Sequence, residues 1–277
     1  MSKNLDFSLE IFPPKISDGI EKIYGCLAGM SKLLPDFISV TYSAGQAKKG
    51  LTTEVSYYLQ NTYGIPAVAH LTCAGQTRES INEALEEMKN AGVKSILALR
   101  GDLTADKKVT DLIHATDLME QINAFGEFDL YGACYPEGHV ESPSFDQDIQ
   151  VMKMKNDLGV KTFLSQLFFD NKDFLNMRDK ATAAGVTAVL SAGIMPITSA
   201  KQIVRMVQLS GAKIPPKVAK MLSKYENNET ALCKAGMDFA VKQIRSLVKE
   251  GVRSIHLYTM NNIHTAEYIR AGIEDLL

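Results

Sequence analysis

Apolar and polar positions along the chain fall into two alternating rhythms. Short β-rich runs, most of them strictly alternating or wholly apolar, recur at Leu5–Phe12, Phe37–Thr41, Ala67–Thr72, Ser95–Leu99, Leu130–Tyr135, Thr162–Leu167, Thr187–Ala192 and Ser254–Thr259. Between them lie stretches with helical spacing. In Arg78–Asn90, for example, Ile81, Leu85 and Met88 share one face and Gly92 follows the end. Ser144 and Gln147 have capping-box spacing and open a helix that runs to about Leu158. The long stretch between the seventh and eighth runs, Gly193–Arg253, predicts extra helices around Ser199–Leu209, Pro216–Tyr225 and Thr230–Glu250. A last helix, Ile263–Leu276, closes the chain.

Eight β-then-α units predict an α/β fold, a (β/α)8 TIM barrel, with residues 1–277 forming one catalytic domain. A doubly wound sheet is the alternative, because strand order cannot be read from spacing. It would normally place a Gly-rich dinucleotide fingerprint after the first strand, where this chain has Phe12-Pro13-Pro14-Lys15. Composition then narrows the class. With 45% hydrophobic and 22% charged residues, 277 positions can bury one large core. Lys+Arg of 30 against Asp+Glu of 32 gives a net charge of −2, which argues against a general nucleic-acid binder. No apolar run approaches the ~18 residues of a membrane span, and MSKNLDFSLEIF does not read as a signal peptide. Cys26, Cys73, Cys134 and Cys233 are scattered and form no CxxC pair, as expected of structural thiols in a cytoplasmic enzyme.

Barrel chemistry gathers at the carboxyl ends of strands. There the chain sets Glu10, Thr41-Tyr42, His70, Arg100-Gly101-Asp102, Tyr135 through His139, Gln166 and Tyr258-Thr259. In LDFSLEIF, alternation puts Ser8 and Glu10 opposite Leu9 and Ile11, so in a barrel they face the interior. Partial desolvation at that mouth would raise the pKa of the Glu10 carboxyl and suit it to proton donation. Asp102 fits either a loop cap or a ligand contact; Gly101 before it allows close backbone approach and Arg100 supplies a charged fork. His70 and His139 have no metal-ligand spacing and read as ligand-bonding or satisfied core imidazoles, so no metal is expected. Gln166, between Leu164 and Phe168, needs a backbone or ligand partner. Lys153, Lys155 and Lys161 read most simply as a solvated face.

The segments SLEIFPPK, SVTYSAG, AHLTCAGQTR, ILALRGD, YPEGH, SQLFFD, GIMPIT and IHLYTMN together resemble the methylenetetrahydrofolate reductase family in its short bacterial form, over essentially the whole chain. The resemblance implies an enzyme of one-carbon metabolism and methionine biosynthesis. It would bind FAD, accept electrons from NAD(P)H, and pass a hydride to methylenetetrahydrofolate in a ping-pong scheme. Carried over by motif, Glu10 would be the acid that helps open the folate ring, and Asp102 would lie near flavin and pterin. Gln166, Gln202 and Tyr258 would contact the folate, and Thr41 the nicotinamide. Flavin contacts would fall on Tyr42, Ala44, His70, Arg100, Gly101, Asp102, Ala115, Tyr135, His139, Asp148 and Lys155. The chain departs from the family pattern at Asn262, where an arginine usually holds the folate's glutamate end. Met206, Val151 and Ser165 replace a phenylalanine, an asparagine and a threonine. Two other readings stay open: another flavin-dependent barrel oxidising a small amine, and a flavin-binding electron-transfer subunit of a larger complex. A homo-oligomer or a partner subunit is compatible with any of the three.

Overall fold

The computed structural model describes residues 5–13, 20–42, 50–102 and 111–277. Eight parallel strands close into a barrel in chain order, which settles the choice against a doubly wound sheet. They are β1 (Asp6–Ile11), β2 (Ile38–Val40), β3 (Ala67–Thr72), β4 (Ser95–Leu99), β5 (Asp129–Cys134), β6 (Val160–Ser165), β7 (Val189–Ile194) and β8 (Ser254–Tyr258). The helices between them are α1 (Ile20–Ser31), α2 (Leu51–Tyr63), α3 (Arg78–Asn90), α4 (Ala115–Phe125), α5 (Phe145–Asp157) and α6 (Asn171–Ala183). Three more, α7 (Ala200–Ser210), α8 (Pro216–Lys224) and α9 (Glu229–Lys249), fill the long stretch before β8, and α10 (Ile263–Gly272) follows it.

Strand alternation sorts the core into layers. Phe7, Leu9 and Ile11 of β1 join Ala69, Leu71, Ile96, Ala98, Ile255 and Leu257 in the layer between barrel and helices. Their neighbours point inward, where Phe37, Val68, Leu97 and Leu164 form a smaller apolar cluster. A third cluster, built on Leu167, Phe169, Met195, Ile197, Ile203 and Val218, packs α7 and α8 beside the barrel mouth.

β1, β2 and β8 are trimmed by a residue at one or both ends, and β5, β6 and β7 shift along the chain from the sequence expectation. Thr187 and Ala188 do not open β7, because their N–H groups donate to Asn156 Oδ1 at 2.9 and 3.1 Å. The strand therefore starts at Val189 and runs on to Ile194, pairing Gly193 with His256. β6 begins early, at Val160, straight after Gly159 takes a positive φ of 96° at the end of α5. It ends at Ser165, so Gln166 lies just past the strand, its N–H still donating to the Cys134 carbonyl at 2.8 Å. β5 lies one residue earlier than expected, leaving Tyr135 as the first residue of the following loop. At α5 the forward half of the capping box forms, Ser144 Oγ accepting from Gln147 N–H at 3.2 Å.

Candidate functional site

Two adjoining cavities of ≈ 410 Å³ each open at the carboxyl ends of the strands and share Leu99, Arg100, Ala133, Tyr135 and His139. The inner one sits over the barrel axis and is lined by Glu10, Thr41, His70, Gly101, Asp102, Gln166 and Tyr258. The outer one runs toward α4 and α5 and is lined by Ala115, Asp148 and Lys155, with Glu141 and Val151. The two spaces adjoin as one groove, with Glu10, His70, Asp102 and Gln166 in its inner part, and Arg100 and Lys155 together with the carboxylates Glu141 and Asp148 in its outer part.

Glu10 reaches the inner cavity as the interior-facing alternation of β1 requires, with only 7% of its surface exposed. Its backbone carbonyl accepts from Thr259 Oγ1 at 2.7 Å, tying β1 to the end of β8. Two imidazoles flank its carboxylate: His70 Nε2 and His256 Nε2 lie 3.6 and 3.8 Å from Oε2. Burial pushes the His70 imidazole down to about 4, against the pull of the Glu10 carboxylate. His70 Nε2 is buried, faces Glu10 Oε2 at 3.6 Å, and makes no hydrogen bond. Tyr258 donates its hydroxyl to the Ser165 carbonyl at 2.5 Å, and burial beside Glu10 raises its pKa well above the usual value.

Gly101 adopts a φ of +82°, and a Cβ there would stand 2.9 Å from Thr72 Cβ. Only glycine lets this backbone lie flat against β3 while presenting Arg100 and Asp102 to the groove. Arg100 forks onto Glu141: Nη2 donates to Oε1 at 3.0 Å and Nη1 to Oε2. Asp148 Oδ2 accepts from His139 N–H at 2.8 Å and fixes the loop after β5. Tyr135, pushed up to about 12 by burial, stays a neutral phenol edge-on to His139.

Lys155 corrects the surface reading: it is buried, not solvated, and its Nζ donates to the Ala133 carbonyl at 3.0 Å. Lys153 and Lys161 do lie outside, paired with Asp157 and Asp129. Burial lowers the Lys155 pKa, against the opposing pull of Cys134 and the Asp148 carboxylate. Two expected contacts line neither cavity. Tyr42 stands behind the wall with its hydroxyl accepting from Gln76 Nε2 at 3.2 Å. The Gln202 side chain is occupied by Thr198, whose N–H and hydroxyl donate to Oε1 at 3.0 and 2.6 Å. Ala44 lies outside the described residues. Asn262, at the departed position, caps α10 by accepting from Thr265 N–H at 3.1 Å.

Sequence reasoning passed over His256 and Glu141. The alternation of SIHLY already puts His256 on the inward face with Tyr258, a signal that was there to use. Glu141 carries no such mark, because only the folded loop brings it to Arg100.

Comparison with known proteins places the chain in a family. The family model described as methylenetetrahydrofolate reductase matches residues 1–273. The chain belongs to that family. Among relatives, the 5,10-methylenetetrahydrofolate reductase of Pectobacterium carotovorum subsp. carotovorum is 32% identical over 257 residues, covering 93% of this chain and 86% of that protein. The enzyme of the same name from Escherichia coli (strain K12) is 30% identical over the same span. Methylenetetrahydrofolate reductase (NADH) 1 of Zea mays is 32% identical over 271 residues, covering 92% of this chain and 46% of its own length, so this chain spans about half of that relative. Among solved structures, an uncharacterized Clostridium thermocellum protein that binds two copies of 5-methyl-5,6,7,8-tetrahydrofolic acid superposes with a TM-score of 0.68 at 15% identity. It covers 99% of this chain and 96% of its own. A mutant tryptophan synthase alpha-subunit from Pyrococcus furiosus gives 0.58 at 12%, covering 100% of this chain and 99% of that one; both likenesses are of fold alone. At its barrel mouth this member of the methylenetetrahydrofolate reductase family sets Glu10, Asp102 and Gln166 around one cavity. Among the described residues no helix is long and apolar enough to cross a membrane.

Proposed function

We propose that the chain is a flavin-dependent reductase that converts methylenetetrahydrofolate to methyltetrahydrofolate, with the flavin lying along the groove and folate and nicotinamide using the inner cavity in turn. The observation that carries this reading is the convergence of Glu10, Asp102 and Gln166 on one cavity that adjoins a second one holding Arg100 and Lys155. Features of the groove fit FAD: the His70 imidazole at the cavity wall, the flat Gly101 backbone, and the buried Lys155 ammonium with Arg100 nearby as counter-charges for a diphosphate. When bound, FAD supplies a two-electron carrier that is reduced by NAD(P)H and spent on the folate in a ping-pong order.

The chain's own residues do the rest. Glu10 faces the cavity where the folate ring must open, and as the acid it delivers a proton to the ring nitrogen that leaves. The C–N electron pair stays on that nitrogen, and an iminium forms at the other. Asp102 supplies a negative charge at the same wall, favouring that cation. Gln166 has its Oε1 accepting from Leu167 N–H at 2.8 Å, which fixes its carboxamide and frees the NH2 for the pterin. Tyr258, anchored to Ser165, forms the opposite side.

The test is anaerobic. The purified protein is expected to carry an FAD spectrum, to bleach with NADH or NADPH, and to recover its colour on mixing with methylenetetrahydrofolate. Protein without flavin would sink the reading. Bound flavin that bleaches yet ignores folate would favour an electron-transfer subunit or an amine oxidase.

A further inference from the structure

Gln166 stands just beyond β6, yet its backbone is fully engaged. Its N–H donates to the Cys134 carbonyl at 2.8 Å, and its side-chain Oε1 accepts from Leu167 N–H at 2.8 Å. Ser165 supplies the rest. The Ser165 hydroxyl donates to the Gln166 carbonyl at 3.0 Å and accepts from Gly193 N–H of β7 at 2.9 Å. The Ser165 carbonyl in turn accepts from the Tyr258 hydroxyl of β8 at 2.5 Å. A hydroxyl has one proton to give, and Ser165 and Tyr258 both give theirs inside the protein.

β7 lies between β6 and β8, so the Tyr258 hydroxyl must cross it to reach Ser165. It crosses at Gly193. A Cβ there would stand 2.1 Å from the Ser165 carbonyl oxygen and 2.8 Å from Tyr258 Cε2, so only a bare backbone leaves the slot open. Burial raises the Tyr258 pKa well above its usual value, which keeps the phenol protonated and able to donate. Ser165 is wholly buried and lines neither cavity, whereas Gln166 and Tyr258 both line the inner one. The brace thus lies beneath the wall, and the braced side chain lies in it.

Resting on the reductase reading above, we propose that Ser165 and the Tyr258 hydroxyl are positioning groups for Gln166, acting on the folate through the aim of its carboxamide and not by touching the ligand. The carboxamide oxygen is already used by Leu167 N–H, so the NH2 is the group presented to the cavity. Its direction follows from the backbone of residues 165–167, which Ser165 ties to β7 and Tyr258 ties to β8. Tyr258 then meets the ligand with its ring alone. No proton moves in this role, so it governs how folate is held and leaves the acid chemistry to Glu10.

Anaerobic reoxidation of the reduced holoenzyme, followed against methylenetetrahydrofolate concentration, separates half-saturation from limiting rate. Ser165→Ala and Tyr258→Phe cut the brace from opposite sides while nearly preserving volume. Each is expected to raise the half-saturating concentration about fivefold, the scale of one lost neutral hydrogen bond, with the limiting rate changed less than about twofold. In a Gln166→Ala background the same two changes should move half-saturation by less than about twofold, since no carboxamide is left to aim. A larger loss in that background, as from a hydroxyl that meets folate directly, would overturn the proposal. So would an unchanged half-saturation in either single variant, as from a brace that serves folding alone. If one variant does not fold, the other carries the test. A second readout needs no turnover: the Gln166 side-chain amide signals in 15N NMR of the holoenzyme, identified by their loss in Gln166→Ala, should shift in both variants. Signals that stay in place would refute the positioning role. A wild type that folate fails to reoxidise would remove the reductase reading, and the amide signals would still decide whether Ser165 and Tyr258 aim Gln166.

Discussion

Arg100 already has an anionic partner before any ligand arrives: the half-exposed Glu141 carboxylate occupies both prongs of its guanidinium at the wall of the outer cavity. That contact raises the pKa of Arg100 and lowers that of Glu141, so the two charges satisfy each other. A diphosphate using Arg100 must displace the carboxylate, at a cost on the scale of an exposed ion pair. Glu141→Gln is therefore expected to tighten FAD binding about threefold, read by flavin fluorescence quenching; weaker binding would mean that Glu141 instead holds Arg100 in place for its ligand. At Glu10 the chemistry is separable. Glu10→Gln keeps the shape but not the proton, so reduction by the nicotinamide donor should survive while reoxidation by folate falls by about 10²- to 10⁴-fold. Equal loss in both half-reactions would show that Glu10 is not primarily the folate's acid. Glu10 is legible in sequence because strand alternation and a barrel leave an inward carboxylate no water to face. Lys155 is not, because charge spacing on a helix cannot tell which turn lies over a cavity. Gln202 and Tyr42 carry the right residue types, yet local partners at Thr198 and Gln76 use their polar groups.

The elements themselves were largely legible, down to the bounds of α3, β3 and β4, because each repeats its own hydrophobic period. What the pattern could not supply was where backbone donors go: Asn156 claims two N–H groups ahead of β7, and no periodicity encodes that. Nor does it reveal where a helix presses on the backbone of a neighbouring loop. Gly236 of α9 is such a place, since a Cβ there would stand 1.8 Å from the Ile197 carbonyl oxygen, an atom that no rotamer change can move. Ile197 belongs to the cluster that seats α7 and α8 beside the mouth, with Met206 reaching the inner cavity. Gly236→Ala is expected to cost about 3 kcal/mol of stability and to raise the folate KM. Gly25, exposed in α1 with nothing within 4 Å of its added Cβ, is the matched control. There Gly25→Ala should gain about 0.5–1 kcal/mol from the unfolded chain's lost freedom. Denaturant midpoints of the two variants should move in opposite directions; a shift of the same sign in both would refute the packing argument.

For the molecule as a whole, a net charge of −2 hides strong local separation, and the interior of the barrel is where it becomes a stability effect. His70 is neutral in the fold until about pH 4, whereas in the unfolded chain it takes a proton near the usual 6.5. Between those values the unfolded state binds more protons, so stability rises with pH: the contribution is complete above 6.5 and is lost as pH falls toward 4. The full gap is equivalent to about 3 kcal/mol. Carboxylates held low by partners, among them Glu141 with Arg100 and Asp238 with Tyr268, lose their contribution only below the ordinary carboxylate range, in a more acidic window. Glu137 and Asp173, raised by burial, run the other way: their protonated forms favour the fold, and that benefit disappears as pH rises through their raised values. The informative quantity is thus the difference between two proteins across the same pH range. His70→Gln removes the titrating group but keeps a polar side chain, so its unfolding free energy should vary less with pH than the wild type's between about pH 7 and pH 5. In urea titrations the wild type is expected to lose about 2 kcal/mol more than the variant over that interval. Parallel curves would mean that the buried imidazole takes up its proton without unfolding the barrel, through water entering the cavity beside Glu10.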